Sequence, residues 1–328
     1  MRVLVTGGAG YIGSHVVAAL AARGDDVVVL DDLSASGTER IPGLPLVEID
    51  LVSDAASATV AALLRKERID AVMHFAARKS VDESVRRPAW YYEQNLTSLA
   101  HLLMAMEESG VDRLVFSSSA AVYGSATGEA IGEDTPLAPI SPYGETKRAG
   151  EQLISAASIA FGLRATSLRY FNVGGAGSVT LANHGGGNLI PLVFERLDRG
   201  LPPLIHGDDY PTRDGTCVRD YIHVVDLAEA HVAALDYLAE APAGNTPLNV
   251  GTGRGTTVHE MVDAILRASG SPLAAEVGPR RDGDPASSVA SAARIHSLLG
   301  WTAKRGIDEI VQSDWAAHQA ARAAGRPA

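Results

Sequence analysis

The feature that most limits the fold is the alternation of short, unbroken apolar runs with helical segments through the first half of the chain. Residues 3–5, 27–30, 46–49, 71–75 and 114–116 are rich in apolar and β-branched side chains and too short for helices. Between them, residues 12–23, 55–66 and 89–109 carry helical periodicity. A helix over 143–161 then leads to a sixth strand at 165–169. Strands and helices in this order predict an α/β fold, a doubly wound, Rossmann-like parallel sheet with helices on both faces. After Asn172 the alternation loosens: residues 174–187 are glycine-rich, and shorter strands mix with helices such as 224–238 and 258–268. The expected division is a dinucleotide-binding domain over 1–171 and a smaller α/β domain over 172–328. Segments near 218–250 are expected to cross back to the main sheet.

The first strand ends in Thr6-Gly7-Gly8-Ala9-Gly10-Tyr11-Ile12-Gly13. Glycines at 7, 10 and 13 let the backbone turn tightly and approach a pyrophosphate lying on the N-terminus of the following helix. A bare glycine triplet is weak, but this one lies at the first strand–helix junction. Asp31 closes the second strand, 18 residues past Gly13. An acid there accepts hydrogen bonds from ribose hydroxyls and repels a 2′-phosphate. Asp50, at the end of the third strand, is a candidate for the adenine, with a plain turn residue as the equal alternative.

The net charge of −11 argues against a general nucleic-acid or anionic-membrane surface. It leaves room for an anionic substrate held by a few arginines. Cys217 is the only cysteine, so an intrachain disulfide and a thiolate metal cluster are both excluded; we read it as a buried thiol. The ten histidines show no metal-ligand spacing. The chain enters its first strand with no signal-peptide layout and contains no apolar run long enough to span a bilayer. A cytoplasmic location is the expectation, and the Asn95-Leu96-Thr97 sequon is then fortuitous.

Tyr143 and Lys147 stand four apart at the start of a helix and share one face. A phenol that serves as a base at neutral pH needs its pKa lowered by roughly three units, ~4 kcal/mol, and a nearby ammonium shifts it that way. Upstream, Ser117-Ser118-Ser119 lies at the carboxyl end of the fifth strand, the edge where such sheets bind ligands. Ser119 can hydrogen-bond a substrate hydroxyl; Ser117 and Ser118 can equally cap the strand end.

Together TGxxGxxG, the strand-end serine and YxxxK match the short-chain dehydrogenase/reductase pattern. The segments GGAGYIGSH, HFAARKSV, YYEQN, SSSAAVYG, SPYGETK, RYFNV, DYPTRDGTCVRDYIHVVDLAEAH and RRDGD, with a later LGW, resemble the UDP-glucose 4-epimerases almost end to end. The resemblance implies NAD as cofactor. Gly7, Gly10, Tyr11, Ile12 and Gly13 would hold its pyrophosphate, Asp31 its ribose, and Asp50 and Leu51 its adenine. Phe75, Ala76, Lys79, Asn95 and Ser117 would also contact it, and Tyr170 would flank the nicotinamide. Tyr143 would be the general base, Lys147 would bind the nicotinamide ribose and depress the Tyr143 pKa, and Ser119 would bridge to the sugar. A UDP-sugar would be held by Lys79, Asn172, Asn188, Leu189, Leu204, His206, Arg219, Arg281, Asp284 and Ser288. The implied reaction oxidises C4 to a ketone and reduces it from the other face, in a homodimer paired through helices 89–109 and 143–161.

Some features depart from the family pattern. Asp32 and Ala35 follow Asp31 where relatives more often carry Asn, the 172–188 segment is short and glycine-rich, and Ser288 is small where glucose-restricted members carry Tyr. A nucleotide-sugar 4,6-dehydratase is the nearest alternative enzyme, but its chemistry needs an Asp-Glu pair before VYG. Ala120-Ala121 stand there instead. A non-catalytic NAD-binding regulator is a third reading; proteins of that class lose the Tyr or the Lys, and both are present.

Overall fold

The structure, a computed structural model, describes residues 1–126, 130–183, 188–281 and 283–324. Its first unit is a seven-stranded sheet. The strands are β1 (Arg2–Thr6), β2 (Asp26–Asp31), β3 (Leu46–Glu48), β4 (Ala71–His74), β5 (Arg113–Ser119), β6 (Arg164–Tyr170) and, from far along the chain, Gly244–Val250. Between β6 and that last strand come β7 (Asn172–Gly174), β8 (Leu204–His206) and β9 (Val218–His223), so Gly244–Val250 is β10. The order is β10-β6-β5-β4-β1-β2-β3 and every pairing is parallel.

Alternate residues of β1 feed opposite layers. Val3 and Val5 pack with α1 (Tyr11–Arg23), whereas Leu4 packs with α2 (Ala56–Lys66). The Leu4 layer is completed by α5 (Ser98–Ser109) and α6 (Pro142–Phe161), through Leu99, Leu102 and Ile154. Two short helices, α3 (Val81–Arg86) and α4 (Pro88–Tyr92), precede α5. The expected single helix over 89–109 is interrupted by a π-helical segment, Glu93–Thr97. The Asn95 side chain is drawn inward there, bonding the Arg78 backbone in both directions and the Thr146 hydroxyl. Such bulges commonly sit beside functional sites.

The smaller unit has α7 (Leu189–Asp198), α9 (Val258–Ser269) and α11 (Ile307–Ala323) around a core of Phe194, Tyr221, Met261, Ile265 and Ile310. Strand β9 pairs with β7, with β11 (Gly255–Thr257) and with β13 (Ser287–Ser288); β8 pairs with β12 (Glu276–Gly278). The segment that returns to the first unit is α8 (Val224–Tyr237) with β10. Leu227, Ala230 and Leu235 of α8 join the Val3–Val16–Leu20 layer, which α10 (Ala293–Leu299) also covers through Ile295. Strand β9 itself, inside the range expected to cross back, stays with the smaller unit because its partners are β7, β11 and β13. Residues 184–187 of the glycine-rich stretch lie outside the described residues. Among the described residues, no helix is long and apolar enough to cross a membrane.

Candidate active site

A cleft of about 940 Å³ opens along the carboxyl edge of the central sheet, in the size range of small-molecule sites. Gly7, at φ +69°, turns the chain there: a Cβ on it would lie 2.6 Å from the Ala76 nitrogen. On Gly13 a Cβ would lie 2.2 Å from the Gly7 carbonyl oxygen. Neither position can carry a side chain without moving the backbone. Gly10 begins α1 with no side-chain cap, and no acid stands in the first turn. The leading amides of a helix have no intrahelical acceptor. Those of Tyr11, Ile12 and Gly13 line the cleft and suit a diphosphate.

Asp31 ends β2, where its Oδ2 accepts the Ala9 N–H at 2.9 Å and its Oδ1 the Leu33 N–H at 2.9 Å. Burial raises its pKa, and those amides counter the rise. Each carboxylate oxygen keeps further lone-pair capacity for a hydroxyl. Asp50, Leu51, Phe75, Ala76 and Lys79 line the same cleft. Burial in the cleft, then the Arg40 charge, lower the Lys79 pKa. Among the described residues Lys79 forms no ion pair. Asn95 is the one proposed cofactor residue that does not line the cleft; its amide bonds Arg78 and Thr146 as described above, with one acceptor site on Oδ1 left over. These features fit a dinucleotide: an uncapped helix start, a carboxylate for ribose and an unpaired cation.

The chemistry-bearing side chains meet where β5, β6 and α6 converge. Ser141 caps α6 by accepting the Gly144 N–H at 3.2 Å, and Pro142 fits the first turn. That start places Tyr143 and Lys147 one turn apart, 8% and 4% exposed. The Ser119 hydroxyl lies beside the Tyr143 phenol and lowers its pKa. The Lys147 ammonium donates to the Ser117 carbonyl at 2.8 Å, 4.9 Å from the Phe116 ring centroid and 5.9 Å from that of Tyr143. Burial lowers the Lys147 pKa to about 8, and the Glu151 charge raises it. Burial also raises the Tyr143 pKa, against the influence of the Ser119 hydroxyl, so in the protein without its cofactor burial sets the direction. Tyr170 shares a hydrogen bond with the Ser117 hydroxyl, and both line the cleft.

A buried polar network supports this convergence. Ser118 donates to Glu151, which also receives Arg169 Nε at 3.0 Å. Arg169 Nη1 reaches the Tyr123 hydroxyl at 2.9 Å, and Tyr123 donates to Asn249 at 2.7 Å. The chain thus locks the ends of β5, β6 and β10 to α6. Ala120 and Ala121 begin a 3₁₀ turn, Ala120–Tyr123, with the Ala121 N–H on the Ser119 hydroxyl at 3.1 Å; no carboxylate stands in that turn.

Of the substrate set, Asn172, Asn188 and Leu189 surround a small hollow with Tyr11 and Tyr221. Arg219 donates from Nη1 to the Pro285 carbonyl at 2.8 Å and lies 3.3 Å from the Asp284 carboxylate. Ser288 stands opposite Arg219 in the β9–β13 ladder. Leu204 and His206 occupy β8, where His206 Nδ1 is 3.2 Å from the Pro279 carbonyl; Arg281 follows on the exposed segment after β12. Arg40 and Arg78 also line the cleft and were not anticipated. Arg78 Nη1 bonds the Ser34 hydroxyl at 2.9 Å and Nη2 lies 3.3 Å from Asp32. The only signals for them were proximity to Asp31 and to the HFAARK segment. Among the described residues no cluster could hold a metal ion.

Comparison with known proteins places this arrangement. Residues 3–251 match the family described as NAD dependent epimerase/dehydratase. A UDP-glucose 4-epimerase of Azospirillum brasilense is 48% identical, covering 95% of this chain and 90% of that one. One from Lactobacillus helveticus is 42% identical over 97% of both. The solved UDP-glucose 4-epimerase of Stenotrophomonas maltophila, with bound NAD and formylated UDP-arabinopyranose, superposes with a TM-score of 0.93 at 40% identity, covering 99% of each chain. With a glycine turn, a strand-end acid and the Tyr–Lys pair in one cleft, and with this likeness along nearly its whole length, the chain belongs to the NAD dependent epimerase/dehydratase family, among its UDP-glucose 4-epimerases.

Proposed function

We infer that the chain interconverts UDP-glucose and UDP-galactose by transient oxidation at C4, with NAD as resident cofactor. The observation that carries this is the cleft joining the Gly7–Gly13 turn and Asp31 to Tyr143 and Lys147, with Ser119 beside the phenol. NAD held there supplies the acceptor and then the donor of the C4 hydride. Tyr143 takes the proton of the 4-hydroxyl and returns it after the ketone has turned over. Ser119, beside the phenol, orders that exchange by hydrogen-bonding the same sugar oxygen. Lys147 keeps a positive charge beside the phenol. Asn172, Asn188, Arg219 and Arg281 anchor the UDP, so the sugar reorients while the nucleotide stays in place. Purified protein incubated with UDP-glucose and no added cofactor tests this. UDP-galactose should form, and denaturation should release NAD; a strict demand for external NADH or NADP sinks the reading.

The sugar range extends to N-acetylhexosamines. The support is that Ser288 is a small, partly buried residue in register with Arg219, which is assigned to the UDP. Ser288→Tyr should abolish turnover of UDP-N-acetylglucosamine and largely spare that of UDP-glucose, a steric discrimination. Product analysis with each substrate decides; equal loss of both activities removes Ser288 from the role. The chain also pairs with a second copy through the α5 and α6 faces, where Met104 and Ile159 stand exposed. Light scattering at twice the 34.2 kDa chain mass supports the pair and a monomer mass at all concentrations refutes it. A cytoplasmic setting suits a chain with one buried, unpaired cysteine.

A further inference from the structure

The three serines that end β5 meet the buried face of α6 as two matched rows. Tyr143, Lys147 and Glu151 stand one turn apart on that face, 8%, 4% and 5% exposed. Ser117 offers its carbonyl to the Lys147 ammonium at 2.8 Å, and Ser118 donates its hydroxyl to Glu151 Oε1 at 2.5 Å. The Ser119 hydroxyl lies beside the Tyr143 phenol. Tyr143 and Lys147 line the cleft and Glu151 does not. The Glu151 carboxylate also receives Arg169 of β6, from Nε at 3.0 Å on Oε1 and from Nη2 at 2.5 Å on Oε2.

A buried ion pair contributes little over apolar packing of similar volume, so stability alone is a weak reason for a carboxylate at this position. Its place one turn beyond Lys147 gives a stronger one: the Glu151 charge opposes the desolvation of the ammonium. The other groups around Lys147 bring no anion. From β5 come the Phe116 ring and the Ser117 carbonyl. On β4, burial and then the Lys147 charge lower the His74 pKa to about 3, so that ring is neutral. Burial raises the pKa of Tyr143 on α6 and of Tyr170 on β6, which keeps both phenols protonated in the protein without its cofactor. Arg169 is a cation, paired with Glu151. We propose that Glu151 is a positioning residue for the reaction: it ties the serine end of β5 to α6 and sets a negative charge one turn beyond Lys147, so that the ammonium stays charged beside the phenol. The proposal rests on the epimerase reading of the cleft.

The test follows kcat and KM for UDP-glucose across neutral and alkaline pH in the NAD-loaded protein. It compares wild type, Glu151→Gln, Glu151→Asp and the double variant Glu151→Gln with Arg169→Met. In wild type the alkaline fall in kcat is expected near the Lys147 pKa of about 8. Without the neighbouring anion the ammonium is lost earlier, so in Glu151→Gln the fall should move to lower pH by about one pH unit. KM should change little, since the residues assigned to UDP belong to β7 and the smaller unit. Glu151→Asp keeps the charge, and its fall should stay at the wild-type pH even where the unfolding midpoint drops. The double variant removes the anion together with the cation it would strand, so its fall should lie between wild type and Glu151→Gln. It carries the test if Glu151→Gln does not fold. A fall at the wild-type pH in the variants without the carboxylate overturns the proposal and assigns Glu151 to the fold. An equal displacement in Glu151→Asp overturns it too, because the charge is then not the cause. Wild-type protein that forms no UDP-galactose would instead defeat the epimerase reading, a distinguishable result.

Discussion

Tyr143→Phe is expected to lower kcat by about a thousandfold or more, the scale of a lost general base, while UDP binds with nearly unchanged affinity. The substitution removes one hydroxyl from a residue 8% exposed and keeps the ring that fills the site. What is lost is the proton acceptor for the sugar, beside Ser119. The residues assigned to UDP, Asn172, Asn188, Arg219 and Arg281, belong to β7 and the smaller unit, away from that hydroxyl. An interaction made only as the proton moves appears in kcat and not in ground-state affinity. Single-turnover kinetics with calorimetric UDP titration separate the two. Wild-type turnover would assign the base elsewhere.

Lys147→Met carries the second largest expectation. The ammonium lies 5.9 Å from the Tyr143 ring centroid. At an effective dielectric near 20, a charge pair at such a distance is worth ~3 kcal/mol, about a hundredfold in kcat. Methionine fills the buried volume without the charge. The pH profiles should also differ in a definite direction. In wild type the Lys147 pKa is lowered to about 8 by burial, so the ammonium persists below that pH and is lost as pH rises through it. Activity should therefore decline on the alkaline side near pH 8. In Lys147→Met no such group titrates, and removing the cation leaves the phenol raised by burial. Residual activity should then keep rising with pH as more phenolate forms. A variant that retains the wild-type alkaline decline would show that another group causes it.

The fold was legible in the sequence because buried parallel strands leave a strong signal: β1, β2, β4, β5 and β6 are short apolar runs next to glycine turns or helical periodicity. The glycine turn was legible for a steric reason, as Gly7 and Gly13 have no room for a Cβ. Tyr143 and Lys147 were legible through helical spacing, which the Ser141 cap and Pro142 fix. What escaped was set by contacts distant in the chain. Arg40 reads as a loop residue and gains meaning only where Ala182 arrives, 142 positions later. Glu151 and Arg169 read as ordinary charged positions, and their buried pairing depends on α6 packing beside β6. The π-helical segment that turns the Asn95 amide toward Arg78 and Thr146 has no periodicity signature. Spacing predicts that Tyr143 and Lys147 share a face, but the burial that raises the phenol depends on the packing of distant elements.

The central claim, that the C4 hydrogen leaves and returns as hydride within one closed site, has a direct test. UDP-glucose carrying deuterium at C4 is incubated with the purified protein in ordinary water, without added cofactor, and the UDP-galactose formed is analysed by mass spectrometry and NMR. The account predicts full retention of the deuterium at C4 of the product. Loss of the label to solvent at C4, or formation of UDP-galactose only when NADH is supplied, would contradict it.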